Sequence, residues 1–217
     1  MKLLISTLMV LIITFIFSIS FSYGEESKSF LSQKINLTSY VVKKGETLWT
    51  LFEEDWQTVA KINRVSPERL QIGMNLLIPI NMDEASIFSP LPNNLPIGEK
   101  QLEEKIIYTD LKLQVLGLYE EGVLLEWFPI SSGKKDHPTP RGEYRIDKKD
   151  IDHVSNSVPR PDGGAPMPYA LRFYGPYWIH EGALPGNEDS YGCIRLMKMH
   201  ALTLYYWATF GTKVIVK

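Results

Sequence analysis

Cys193 is the only cysteine in the 217-residue chain. It lies in the run IHEGALPGNEDSYGCIRL, residues 179–196, which also holds His180 and Arg195. A cysteine attacks as its thiolate, so a site that uses one must lower its pKa. A histidine within hydrogen-bond reach can take the proton and return it later. One cysteine has no disulfide partner in its own chain, which leaves a reactive thiol or a small buried hydrophobe. The flanking residues favour reactivity. Gly192 lets backbone approach a substrate closely, amides near Cys193 can donate to an oxyanion, and Arg195 supplies a fixed charge suited to a carboxylate. Ser190 and Tyr191 stand directly before them. Together they make the parts list of an acyl-transfer site.

Four histidines compete for the base. His137 and His153 fall in stretches that read as polar loops. His200 falls in a predicted helix, where packing or capping would employ it. His180 ends the aromatic run FYGPYWIH, and a rigid strand can hold a base in place. Glu181 follows it.

The elements that must position these residues divide the chain in two. Residues 1–24, with Lys2 before a long apolar run and small residues before Glu25, read as a secretory signal peptide, the alternative being a membrane anchor. Either exports the remainder, to the periplasm or cell envelope. Residues 38–80 form a strand, two helices and a strand, with Thr47 capping the first helix and the second ending near Asn63. Residues 81–105 contain Pro90, Pro92 and Pro96 and read as a semi-rigid, partly extended linker without regular helix. From residue 106 to 217 apolar runs broken by turn residues predict a mainly β domain, barrel-like or a sandwich. A hairpin turn is expected at Glu120-Glu121-Gly122, and one helix through Leu202–Trp207, ended by Gly211. A hydrophobic content of 44% and a net charge of −2 fit ordinary globular domains and give no footprint for nucleic acid. With no CxxC pair, HExxH or phosphate loop, neither metal nor cofactor is expected.

Two resemblances sharpen this. YVVKKGETLW and INRVSPERLQIGMNLLIP resemble the opening and closing motifs of the LysM domain, with a shorter connection between the helices than usual. That implies binding to the N-acetylglucosamine-containing glycan strands of peptidoglycan. IHEGALPGNEDSYGCIRL, with PISSG, TPRGEYRI and MPYALRF, resembles the L,D-transpeptidase (YkuD-type) catalytic domain over about 106–216. By that resemblance Cys193 is the nucleophile and His180 the general base, Gly192 and Arg195 are motif residues, and the Glu181 backbone carbonyl orients the imidazole. Tyr191 stands where the family most often has histidine or another polar residue. Glu181 stands where glycine is common, and its carboxylate is expected to favour charged His180.

With the export read from residues 1–24, the resemblance implies an enzyme acting outside the cell membrane on peptidoglycan stem peptides through a thioester on Cys193. The acceptor is left open between a stem-peptide amine and a lipoprotein lysine. Two alternatives use the same residues: an L,D-carboxypeptidase with water as acceptor, and a wall-binding protein without catalysis.

Overall fold

The computed structural model describes residues 35–95, 105–155 and 163–217. The expected signal segment lies outside the described residues, as does 96–104 of the expected linker.

The N-terminal unit is built from β1 (Leu37–Val41), α1 (Leu48–Phe52), α2 (Trp56–Asn63) and β2 (Asn75–Pro79). β1 and β2 pair antiparallel from Leu37↔Pro79 to Val41↔Asn75. Thr47 caps α1 by accepting from the Thr50 amide at 3.1 Å. A single 3-10 turn, Glu53–Asp55, joins the two helices, which is the short connection read in the sequence. Val42, just past β1, joins Leu48, Val59, Ala60 and Leu76 in the unit's buried core.

The linker reading needs correction. Met82–Ile87 forms a helix, α3, whose N-cap is Asn81 accepting from Glu84 N at 3.1 Å. Beyond it the chain lies against the catalytic domain. The Leu95 amide donates to Gly122 O at 2.9 Å, and Leu124 N donates to Asn93 O at 2.8 Å. The prolines forbid amide donation, but their carbonyls still accept: Tyr119 Oη donates to Pro92 O at 2.7 Å. Leu91 is buried against Val115 and Trp127. Prolines exclude a central strand, and the segment serves as sheet edge instead.

The C-terminal domain has two sheets. One runs β5 (Val123–Pro129), β4 (Val115–Glu120), β3 (Ile106–Asp110), β11 (Lys213–Val216), β6 (Gly142–Arg145). The other runs β10 (Ile194–Leu196), β9 (Tyr177–Glu181), β8 (Ala165–Tyr174), β7 (Lys148–Ser155). Their apolar faces share one core, with Ile107, Leu116, Phe128 and Val214 meeting Leu171, Phe173, Ile179 and Ile194. This is a sandwich, closed at one end by α4 (Lys198–Trp207), which contributes Ala201 and Leu204. The β4–β5 turn falls where expected, with Glu121 (φ 52°) and Gly122 (φ 78°) both left-handed. Gly211 does not cap α4. The helix stops at Trp207, Lys149 Nζ donates to the Tyr205 and Ala208 carbonyls at 2.6 Å each, and Gly211 (φ 83°) turns the chain into β11.

Candidate active site

Cys193 is held by a loop that its neighbours tie down from both sides. Ser190, buried, accepts from the Gly192 amide at 3.0 Å and donates to the Cys193 carbonyl at 2.5 Å. Gly192 has φ 106°, and a Cβ there would stand 2.5 Å from Tyr177 Cε1. Its carbonyl accepts from Thr139 Oγ1 at 2.9 Å. Gly133 packs so closely that a Cβ on it would lie 2.8 Å from Gly192 Cα. Ser131 exchanges both main-chain bonds with Arg195, at 3.1 and 3.0 Å, and its hydroxyl bonds Asn187 O and Asp189 N. Ser131, Gly133 and Thr139 lie in the PISSG and TPRGEYRI runs, far in sequence from the Cys193 loop that they brace.

β9 and β10 bring His180 and Cys193 to one face. They pair in parallel with Ile194 beside Ile179 and Arg195 beside His180. Alternation sends both isoleucines into the core, and Trp178, His180, Cys193 and Arg195 to the opposite face. There the thiol packs with Met167, Ala170 and Trp178. His180 is 7% exposed, and its Nδ1 lies 2.6 Å from Glu181 O. A carbonyl only accepts, so Nδ1 carries the proton and Nε2 is left as the basic nitrogen.

Ionisation differs from the sequence expectation. Burial pushes the Cys193 thiol up, although the Trp178 amide and the Arg195 charge favour the thiolate. Burial pulls His180 down to about 4. The Glu181 carbonyl opposes that, and the positive fields of Arg195 and His153 add to it. The expected help from the Glu181 carboxylate does not offset burial. The resting pair is therefore neutral thiol and neutral imidazole.

A family model for the L,D-transpeptidase catalytic domain matches residues 104–216, and one for the LysM domain matches residues 40–79. The chain belongs to the L,D-transpeptidase family. Bacillus licheniformis YkuD, itself provisionally named an L,D-transpeptidase, is 27% identical over 184 residues, covering 82% of this chain and 97% of its own. An L,D-transpeptidase from Mycobacterium smegmatis aligns at 25% identity and TM-score 0.49, over 52% of this chain and 58% of its own. One from Stackebrandtia nassauensis aligns at 23% identity and TM-score 0.48, over 56% and 61%.

In this L,D-transpeptidase the remaining expected residues sit as follows. Arg195 is not an open fork. One guanidinium nitrogen lies 2.9 Å from Asp189 Oδ2, and a Cβ on Gly182 would meet its stem at 2.9 Å. Tyr191 is 54% exposed, under Lys134 Nζ at 4.1 Å and beside His137 at 4.7 Å between ring centroids. His153 lies on β7 and not in a loop; its ring stacks on Trp178 at 4.1 Å, and Nδ1 is 3.2 Å from Asp150 Oδ2. His200 stacks on Phe128 at 4.6 Å inside the fold, and burial pulls it down to about 3. Among the described residues no group of three side chains is arranged to hold a metal ion.

The LysM domain docks directly onto the loop between His180 and Cys193. Ser66 N donates to Leu184 O at 2.9 Å, and Leu184 N donates to Ser66 Oγ at 2.5 Å. Val65 and Pro185 form an adjoining antiparallel bridge. Leu184 and Met197 of the catalytic domain enter the LysM core. Arg64, at the left-handed C-cap of α2, is buried between the domains and donates to Leu113 O at 3.3 Å. Nothing in the local sequence of either domain marks these contacts.

Proposed function

We propose that this chain is an exported, cell-wall-associated L,D-transpeptidase that acylates Cys193 with a peptidoglycan stem peptide and transfers the acyl group to an amine. The observation that carries the reading is the 2.6 Å contact from His180 Nδ1 to Glu181 O, which leaves Nε2 basic on the face that bears Cys193. The donor is a tetrapeptide stem. As the thiol attacks the carbonyl carbon of the third residue, its proton passes to His180 Nε2 and a C–S bond forms. The imidazolium then protonates the amine of the terminal D-residue, the C–N bond breaks, and a thioester remains. An acceptor amine attacks this thioester, a proton returns through His180 to sulfur, and the new amide leaves.

A neutral resting pair suits this order, because the proton moves only when the carbonyl is present to take the negative charge. The Gly192 amide is engaged by Ser190, so the Cys193 amide is the candidate oxyanion donor. The LysM domain is proposed to hold the enzyme on peptidoglycan glycan strands. Purified protein incubated with defined tetrapeptide muropeptides should give a protein thioester and crosslinked product by mass, both lost in Cys193→Ser. Tripeptide alone would make it a carboxypeptidase, and sacculus binding with no turnover would leave only the anchor.

A further inference from the structure

Leu184 stands midway along the loop from Glu181 to Ser190, and both of its main-chain polar groups find their partner in the other domain. Its amide donates to Ser66 Oγ, and its carbonyl accepts from Ser66 N at 2.9 Å. Leu184 is fully buried, so water cannot replace these bonds. Two LysM residues depart from local preference to make the contact. Ser66 opens the 3-10 turn Pro67–Arg69, a place where a serine hydroxyl ordinarily caps its own turn. It makes no such bond, and its hydroxyl serves Leu184 instead. Arg64 ends α2 with φ 53°, a conformation that glycine or asparagine usually fills. Its side chain is 1% exposed and donates to Leu113 O at 3.3 Å. Burial pulls its pKa down to about 10 against the opposing field of Glu188, which belongs to the same catalytic loop. Between them Val65 bridges to Pro185. Gly186 packs so near that a Cβ on it would lie 3.3 Å from Val65 Cγ2 and 3.5 Å from Asn63 O.

We propose that Ser66 and Arg64 of the LysM domain are positioning residues for His180 and Cys193, so that this domain is a working part of the active site and not only an anchor. The inference rests on the transpeptidase reading above. The loop begins at Glu181, whose carbonyl orients the imidazole. It ends at Ser190, whose hydroxyl holds the Gly192 amide and the Cys193 carbonyl. The catalytic domain ties down both ends itself. Gly182 N donates to Leu196 O at 2.8 Å, Ser131 Oγ donates to Asn187 O at 2.7 Å, and Ser190 N donates to Ser132 O at 3.0 Å. The middle, residues 184–186, rests on residues 63–66 of the LysM domain. A loop pinned at both ends and in the middle has one path. Released in the middle it has several, and any shift that reaches Glu181 or Ser190 moves the base or the thiol from the geometry that attack requires. Ser66 and Arg64 touch no reacting atom, so their effect falls on the rate of acylation and not on donor binding.

The test uses the full chain and a tetrapeptide donor. It reads release of the donor's terminal residue in the first turnover, donor KM, sacculus binding, and hydrogen exchange of residues 182–190. Ser66→Ala removes the acceptor of the Leu184 amide. It should slow first-turnover release about 5- to 30-fold, the factor for one buried bond lost, and speed exchange across the loop. Donor KM and sacculus binding should stay at wild-type values. Arg64→Met should act in the same way. Thr47→Ala weakens the LysM fold at an exposed cap, and it should leave release and loop exchange unchanged. Wild-type release in one of the two interface variants removes that residue from the assignment. Wild-type release in both, with or without faster loop exchange, overturns the inference, as does equal slowing by Thr47→Ala, and the transpeptidase reading stands in either case. Absence of a thioester in the wild type overturns that reading, and this inference falls with it.

Discussion

The neutral resting pair predicts a thiol that is slow toward simple alkylating agents and competent only with substrate. The thiol lies above its ordinary value of 9.0 and His180 lies at about 4. Both shifts favour the uncharged forms, so the neutral thiol and imidazole outweigh the thiolate–imidazolium pair in the resting enzyme. A free thiol with pKa about 8.5 is about 3% ionised at pH 7, and Cys193, pushed up by burial, should be less ionised than that. Iodoacetamide should therefore alkylate Cys193 more slowly than a free thiol at pH 7, with a rate that climbs tenfold per pH unit to above pH 9. His180→Ala should leave that rate near wild type, yet reduce transfer by about 10²- to 10⁴-fold, the usual contribution of a general base. Alkylation followed by mass spectrometry across pH 4–10 gives the profile. An inflection below pH 7 that disappears in His180→Ala would show a preformed ion pair and refute the argument.

Three further outcomes are expected. Acid should destabilise the fold through His180. Its folded pKa of about 4 lies below its unfolded value of 6.5, so the stabilisation is complete above 6.5 and declines as pH falls toward 4, by about 3 kcal/mol in all. Urea unfolding of wild type and His180→Gln at pH 7.5 and 4 isolates it, and equal losses in both proteins would count against it. Deleting residues 35–80 uncovers Leu184 (0% exposed) and Met197 (6% exposed), each worth about 1.5–3 kcal/mol, so the catalytic domain alone should melt several degrees lower and lose turnover. An unchanged Tm would show that the docking is only a contact. Gly192→Ala meets both a φ of 106° and the Tyr177 ring, and should cost about 1–3 kcal/mol of stability and most of the transfer activity, measured by melting and muropeptide assay. Wild-type turnover there would mean that the loop tolerates another path.

The local signals of this sequence determined its elements and its chemistry. Periodicity and turn residues located the β-rich domain, the two N-terminal helices, the Thr47 cap and the left-handed Glu121-Gly122 turn, because each depends on residues a few positions apart. The motif around Cys193 singled out His180, and the pairing of β9 with β10 places the two on one face. Tertiary structure alone decided what depends on burial and on distant neighbours. The ionisation of Cys193 and His180 was misjudged, since desolvation by Trp178, Met167 and Ala170 outweighs the favourable charges and none of it is visible in a local run. Arg195 reads in sequence as a charge suited to a carboxylate, and the fold supplies that carboxylate from Asp189. Prolines correctly excluded a central strand from residues 88–95 but said nothing of the sheet edge those carbonyls would join. The domain contact through Ser66 and Leu184 links residues 118 positions apart, and no sequence pattern carries such a pairing because only the folded surfaces select it.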